Sequence, residues 1–125
     1  MTEPTESAYT SATDLARQIA DRERSPVEVL EAVAGRIEDR NGSLNAFVHL
    51  ALDEARARAV DAERQVLRDE PLGPLHGVPT AIKDLFDFKP GWPATFGGVP
   101  ALRHQVIDAR CMFAERIEQA GAIIV

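Results

Sequence analysis

Apolar residues recur at intervals of three and four along most of this chain, the spacing of one face of an α-helix. The pattern is clearest from Leu52, where apolar positions step through Ala55, Ala59 and Ala62 to Val66. Small side chains on such a stripe let a helix lie close to its neighbour. The spacing predicts four helices, over residues 12–23, 26–40, 52–66 and 108–120.

Capping residues support the ends of these helices. Ser11 and Ser25 each precede an acidic residue by three positions, as in a capping box, and Pro26 stands at the first position of the second helix. Asn41-Gly42 predicts the end of that helix, since both residues tolerate a left-handed backbone. Gly121 predicts the end of the last helix for the same reason.

Short apolar segments between the helices predict strands. Ala46–Leu50 is rich in strand-forming residues and indicates a buried strand, and Val78–Lys83 indicates a second one. Asp87–Val106 is predicted to be mostly loop, with a short strand at Thr95-Phe96. Ala122–Val125 has the composition of a strand that begins and is not finished.

Strands separated by helices imply crossover connections, so the predicted class is α/β with a mainly parallel or mixed sheet. An exposed hydrophobic strand with an open edge is unusual in a natural domain. We therefore expect the chain to stop inside a larger fold, to leave apolar faces uncovered, and to be poorly stable or self-associating on its own. Residues 1–10 are predicted to be a flexible tail, with the domain over residues 11–125.

Composition narrows the function classes. The net charge is −6 and no run of Lys and Arg occurs, which argues against a nucleic-acid partner. The first ten residues are acidic and polar, and no apolar stretch approaches membrane-spanning length. We expect a cytoplasmic protein that does not bind a membrane. The single cysteine, Cys111, cannot form an internal disulfide.

The histidines and the cysteine do not indicate a metal or thiol site. His49, His76 and His104 have no second ligand at metal spacing, and no cofactor is predicted. His49 is interpreted as a hydrogen-bonded core residue of its strand. His104 and Cys111 lie seven residues apart, as a base and a thiol nucleophile would, but packing of Cys111 inside the last helix is favoured.

One lysine stands in an unusual setting. Six of the eight prolines and five of the eight glycines fall between Pro71 and Pro100. Among them lies the apolar run Val78–Phe86, interrupted by Lys83. Composition alone favours a solvated lysine or a salt bridge, but a lysine in an apolar strand is also the setting for a neutral catalytic amine. In water, a lysine with a pKa near 10.4 is neutral in only about 0.04% of molecules at pH 7, so burial is what makes it a base.

The flanking residues favour the catalytic alternative. Residues 73–87, Gly-Pro-Leu-His-Gly-Val-Pro-Thr-Ala-Ile-Lys-Asp-Leu-Phe-Asp, closely resemble the lysine-bearing segment of the amidase signature family. Ser25–Leu30, Leu44–Val48 and Ala114–Val125 also resemble segments of that family. The resemblance implies the N-terminal part of an amidase-signature fold, with helices packed on a partial sheet.

The resemblance also implies a reaction. Enzymes of this family hydrolyse carboxylic amides with a serine nucleophile, a second serine that follows a cis peptide bond, and a lysine base. Only the lysine maps onto this chain, as Lys83. The four serines all precede it, at positions 7, 11, 25 and 43, and the glycine-rich serine segment of the family is absent. Thr95–Gly98 also departs from the Thr-x-Gly-Ser ending that is commoner in the family.

Three hypotheses follow from the resemblance. The first is the N-terminal part of an amidase that acts on a small-molecule amide, with a homo-oligomer as an open alternative to a monomer and with the 125-residue chain inactive alone. The second is part of the tRNA-dependent branch of the family, the A-type component of a glutamyl-tRNA(Gln) amidotransferase. It ranks lower, since the loop Lys89–Pro93 looks more like that of stand-alone bacterial amidases. The third is a non-catalytic interaction module.

Overall fold

The computed structural model describes residues 9–125, so all but the last two residues of the predicted tail lie outside the described part. Tyr9 is exposed, and its ring lies 5.4 Å from the guanidinium carbon of Arg36. The elements in chain order are helices α1 (Ala12–Ala20), α2 (Pro26–Leu44) and α3 (Leu52–Leu67), strand β1 (Pro79–Thr80), a short 3-10 helix (Pro100–Leu102), helix α4 (Met112–Gln119) and strand β2 (Ile123–Ile124). The predicted α/β class is confirmed.

Helix α1 has the predicted start and ends three residues early. The Ser11 hydroxyl accepts a hydrogen bond from the backbone N–H of Asp14, so this N-cap is confirmed. The helix stops at Ala20 because Arg22 adopts a left-handed conformation with φ of 62°. From there the Arg22 guanidinium donates to the backbone oxygen of Val66 at 2.9 Å, which ties the end of α1 to the end of α3.

Helix α2 runs past the residues predicted to end it. Ser25 caps its start, accepting from the N–H groups of Val27 and Glu28, but the left-handed residue at its end is Asn45 rather than Asn41 or Gly42. The helix continues because the Asn41 side chain is engaged outside it. Its amide donates to the Phe47 backbone oxygen at 2.9 Å and accepts from the Phe47 N–H at 2.8 Å.

That contact also explains why the predicted buried strand Ala46–Leu50 is wrong. This segment has no strand partner, and Val48 is 67% exposed. The Asn41 amide pairs with both backbone groups of Phe47, as a neighbouring strand would. The segment is therefore an extended connection between α2 and α3, held by one side chain.

The buried stripe of α3 is confirmed: Ala55, Ala59, Ala62 and Val66 are all at most 6% exposed. These small side chains allow α2 and β2 to approach α3 closely. Two apolar clusters form the core: Leu30, Ile37, Ala55, Ala59, Ile123 and Val125 in one, and Leu15, Ile19, Val29, Val66 and Val78 in the other.

The sheet consists of two short parallel strands, in which Pro79 pairs with Ile123 and Thr80 with Ile124. The prediction of a strand over Val78–Lys83 is correct at its start and wrong beyond Thr80, where the chain leaves its partner. The predicted strand at Thr95-Phe96 is also wrong, since Phe96 has a φ of 53° and turns the chain. An isolated antiparallel bridge between Pro93 and Val106 closes that loop instead.

The last residues form the predicted strand, but they are not exposed. Ala122–Val125 are each at most 4% exposed. Their side chains pack against α3 and α2, so this hydrophobic segment is part of the core of the described chain.

Helix α4 begins at Met112, four residues later than predicted. Cys111 is its N-cap: the backbone there is extended, and the sulfur accepts a hydrogen bond from the Ala114 N–H. The Cys111 N–H donates to the Phe88 oxygen, which keeps this residue out of the helix. The predicted packing of Cys111 inside the helix is therefore wrong, and Phe113, expected on the buried face, is 51% exposed. Gly121, with a φ of 92°, ends the helix as predicted.

Two glycines let the chain segments around the sheet touch backbone to backbone. A Cβ on Gly73 would overlap the backbone oxygen of Ala120, and a Cβ on Gly121 would lie 2.7 Å from the Cα of His76. The same segments exchange hydrogen bonds, from Leu75 N–H to Ala120 O and from Gly77 N–H to Gly121 O, both 2.9 Å. The two strands begin where this contact ends.

We expect Gly121→Ala to destabilise the chain by more than about 2 kcal/mol, because it combines a backbone overlap with a strained positive φ. Gly35→Ala and Gly42→Ala are matched controls within α2, where a Cβ meets nothing within 4 Å. These should stabilise by about 0.5–1 kcal/mol. Urea unfolding midpoints measure all three. A Gly121→Ala midpoint equal to that of the wild type would show that the backbone contact is unimportant.

Candidate active site

Lys83 lies three residues beyond β1, at the start of a turn. Its side chain is exposed, so the apolar strand that was predicted to bury it does not do so in the described chain. The physical reason is the early end of β1 at Thr80, after which the backbone is no longer held in a sheet. The Lys83 N–H donates to an Asp87 carboxylate oxygen at 3.2 Å, and the Lys83 oxygen accepts from Leu85 N–H at 2.8 Å. The backbone at Lys83 is thus fixed, while its amine is open.

Asp84, the next residue, closes the loop that follows. One carboxylate oxygen accepts from the N–H groups of Thr95, at 2.8 Å, and Phe96, at 3.2 Å, and the other is hydrogen bonded to the Thr95 hydroxyl. That hydroxyl accepts from Gly98 N–H at 3.0 Å. Asp84 therefore links Lys83 to the Thr95–Gly98 turn. Sequence analysis noted only that Asp84 is adjacent to Lys83.

An aromatic group lines the same loop. The Phe96 ring lies 6.2 Å from the Phe86 ring and 5.6 Å from the Phe88 ring, centroid to centroid. Phe86 is 68% exposed. Asp84 sets this arrangement, because it holds the Phe96 backbone in its left-handed turn.

Lys89, the only other lysine, is buried and was not predicted as a site residue. Its ammonium lies 2.7 Å from Glu54 Oε1 and 2.9 Å from Glu118 Oε1, and 4.6 Å from the centre of the Trp92 ring. Arg58 and Arg110 also pair with Glu118. No sequence signal marks this cluster, since its carboxylates come from helices on either side of the loop.

The charges of the cluster act on Glu54. Burial favours the neutral acid, but the Lys89 hydrogen bond and charge, the Trp92 N–H and Arg58 together outweigh it. The net effect holds the pKa of Glu54 below its ordinary value of 4.5. Glu54 is therefore a carboxylate that keeps its charge to lower pH than an isolated glutamate does.

The histidines are dispersed. His76 is buried with Nε2 3.0 Å from the Ala62 oxygen, whereas His104 is exposed. His49 was expected in the core, but it is half-buried and packs edge-on against Trp92 at 4.8 Å. Within residues 9–125, no three His, Cys, Asp or Glu side chains are placed together as metal ligands.

The described serines serve local structure. Ser11 and Ser25 cap helices, and the Ser25 hydroxyl also donates to Glu63 at 2.5 Å. Ser43 donates to the backbone oxygen of Arg40. Ser7 lies outside the described residues. These roles explain the serines without a nucleophile.

A cavity of about 470 Å³ lies beside the sheet. It is bounded by α2, by the connection around Phe47, and by Pro79, Thr80 and Ala81, and Lys83 does not line it. The cavity follows the strand that leads to Lys83 and is separate from the Asp84 loop.

Comparison with known proteins assigns the fold. The family model described as Amidase matches residues 28–125. An acylamidase of Rhodococcus erythropolis is 36% identical over 115 residues, which are 92% of this chain and 24% of that protein. The A-type component of the glutamyl-tRNA(Gln) amidotransferase of Thermobifida fusca is 47% identical over 122 residues, 96% of this chain and 24% of that protein.

A solved structure agrees with the sequence matches. The crystal structure of a bacterial aryl acylamidase of the amidase signature enzymes superposes with a TM-score of 0.87 at 37% identity, covering 94% of this chain and 24% of that one. The chain belongs to the amidase signature family. It spans about a quarter of the length of the relatives it matches. The family resemblance found in the sequence is confirmed.

The helices of the described chain carry no membrane-spanning candidate: none from residue 9 onward combines the necessary length with the necessary hydrophobicity.

We expect Glu54 to make stability depend on acid pH. Because its folded pKa is lowered, its stabilising contribution is present above the ordinary value of 4.5 and is lost as pH falls through the folded value. Urea midpoints of the wild type and Glu54→Gln should therefore differ near neutral pH and converge at low pH. The exposed Glu115→Gln is the matched control, with no such convergence expected. A Glu54→Gln difference that does not change with pH would contradict the assignment.

Proposed function

We propose that residues 11–125 are the N-terminal part of an amidohydrolase that hydrolyses a carboxylic amide through a Ser-cisSer-Lys triad, with Lys83 as the base. The two serines would be supplied by a part of the enzyme that these 125 residues do not contain. A cytoplasmic location is part of the proposal, consistent with the single cysteine.

The position of Lys83 is the observation that carries the proposal. It ends the segment that resembles the family's lysine motif, and its backbone is fixed on both sides, by the β1–β2 pairing before it and by Asp87 after it. Membership of the amidase family and the similarity to proteins named acylamidase support a hydrolase. A base for the triad needs this fixed backbone, since the lysine must reach a serine at hydrogen-bond distance.

The proposed reaction proceeds in two steps. The nucleophilic serine oxygen attacks the amide carbonyl, and its proton passes through the second serine to the neutral amine of Lys83. The C–N bond then breaks, the leaving amine takes up a proton, and water hydrolyses the acyl-enzyme to the acid. Lys83 is exposed in the described chain, so the remainder of the enzyme must cover it to favour its neutral form.

A second candidate is supported by one of the comparisons. The high identity to the A-type component of a glutamyl-tRNA(Gln) amidotransferase fits a chain that works with partner proteins. Glutaminase activity that appears only when those partners are added would favour this candidate. Hydrolysis of simple amides by the complete chain alone favours the first.

We expect no amide hydrolysis from the 125-residue chain, because it offers the base without nucleophile, relay or oxyanion site. The protein encoded by the complete reading frame that contains these residues should hydrolyse short aliphatic or aromatic amides, and Lys83→Ala should reduce its kcat by more than about 100-fold. The release of ammonia or amine measures both.

Two variants control this experiment. Lys83→Arg keeps the positive charge but cannot lose its proton, so it should be as inactive as Lys83→Ala. Arg103→Ala removes an exposed cation elsewhere and should leave kcat unchanged. Full activity of Lys83→Ala, or turnover by the 125-residue chain, would overturn the proposed role.

A further inference from the structure

The two lysines of this chain occupy opposite environments. Lys83 is exposed, whereas Lys89, six residues later in the same loop, is 3% exposed. A buried ammonium is costly unless it is paired and hydrogen bonded. The proposed reaction uses Lys83 and assigns no task to Lys89.

The pairing of Lys89 is unusually complete. It donates to Glu54 Oε1 at 2.7 Å, lies 2.9 Å from Glu118 Oε1, and lies over the Trp92 ring at 4.6 Å. Glu118 is itself 94% buried at its side chain, since its relative exposure is 6%. Trp92 Nε1 donates to the other oxygen of Glu54 at 3.4 Å. Two residues of the loop thus contact the same carboxylate.

The contacts join three elements that are separate in sequence. Glu54 lies in the first turn of α3, Glu118 in the last turn of α4, and Lys89 and Trp92 in the loop between β1 and α4. Arg58 bridges the two carboxylates, at 3.4 Å from Glu54 and 3.2 Å from Glu118. The loop is therefore clamped between the two helices by charge.

The clamp is connected to Lys83 through the neighbouring residues. The Phe88 oxygen accepts from the Cys111 N–H at the start of α4, and the Asp87 carboxylate accepts from the Lys83 N–H. Residues 87, 88 and 89 thus form consecutive attachments, from Lys83 to the helix pair. Asp84 adds the link to the Thr95–Gly98 turn.

We infer that Lys89 is a positioning residue: its buried ammonium, held between Glu54 and Glu118, fixes the loop that carries Lys83 and so sets where the base stands. The part of this inference that concerns catalysis depends on the proposed function. Its part that concerns the loop does not.

The first experiment tests the loop on the chain itself and needs no activity. With a small amine-acylating reagent, Lys83 should react at least about 100-fold faster than Lys89, since Lys89 reacts only when the loop opens. Peptide mass spectrometry resolves the two sites. Glu54→Gln should accelerate acylation of Lys89, whereas Arg56→Gln, which breaks the exposed pair with Glu31 on the same helix, should not. Equal reactivity of Lys83 and Lys89 would overturn the inference.

The second experiment follows backbone exchange. In Lys89→Met, which keeps the length of the side chain without its charge, the amide hydrogens of Thr95, Phe96 and Leu85 should exchange at least about tenfold faster, while those of α2 stay unchanged. Lys89→Arg should retain part of the protection, because it restores a cation between the two carboxylates. Unchanged loop exchange in folded Lys89→Met would overturn the inference.

The third experiment tests positioning in the complete, active protein. Lys89→Met should lower kcat at least about tenfold with KM within about twofold, since the base is misplaced and the substrate pocket is not. The pH at which kcat rises should also move upward, because a loosened loop leaves Lys83 better hydrated. A variant that is only less stable would lose active protein without moving that pH.

The outcomes separate the two claims. If the complete wild-type protein hydrolyses no amide, the proposed function fails, and the acylation and exchange experiments still decide whether Lys89 holds the loop. If the protein is active and Lys89→Met retains the wild-type kcat and pH profile, the positioning role is wrong while the role of Lys83 stands. Trp92→Phe, a milder change that removes only the indole N–H, should show the same effects to a smaller degree.

Discussion

The close backbone contact between residues 73–77 and residues 120–121 is the constraint on which the rest of this structure depends. Glycine is required on both sides, because a Cβ at Gly73 or Gly121 would overlap the opposite backbone. This contact aligns the two segments before they pair as β1 and β2, and it sets the register at Pro79 and Ile123. The direction of the chain at Lys83 follows from that register, three residues beyond the end of β1.

The buried ion cluster is a second constraint, and it acts on the other side of Lys83. Burial of Lys89 and Glu118 is unfavourable unless each keeps its partners, so the loop has few alternatives to the observed position. The alanine stripe of α3 and the cluster use opposite properties of one helix. Ala55 and Ala59 pack in the core, while Glu54 and Arg58 hold the loop.

Helix positions could be predicted from this sequence because periodicity and capping are local. Ser25 and Gly121 act as their residue types suggest. The errors arise where a distant group decides the structure. Ala46–Leu50 forms no strand because an asparagine side chain binds its backbone, and the strand before Lys83 is short because its length depends on the partner strand. Lys83 is identified by family resemblance, whereas Lys89 could not be, since neither its burial nor its partners have a local signal.

The central claim, that the Gly73–Lys83 segment delivers a base to a serine nucleophile, can be tested most directly by the rate at which that serine reacts. In the complete protein, a fluorophosphonate should label one serine, with a rate constant that rises with pH as the lysine amine loses its proton. Lys83→Ala should slow this labelling by more than about 100-fold and remove its pH dependence. Labelling of Lys83→Ala at the wild-type rate, with the same pH dependence, would contradict the account.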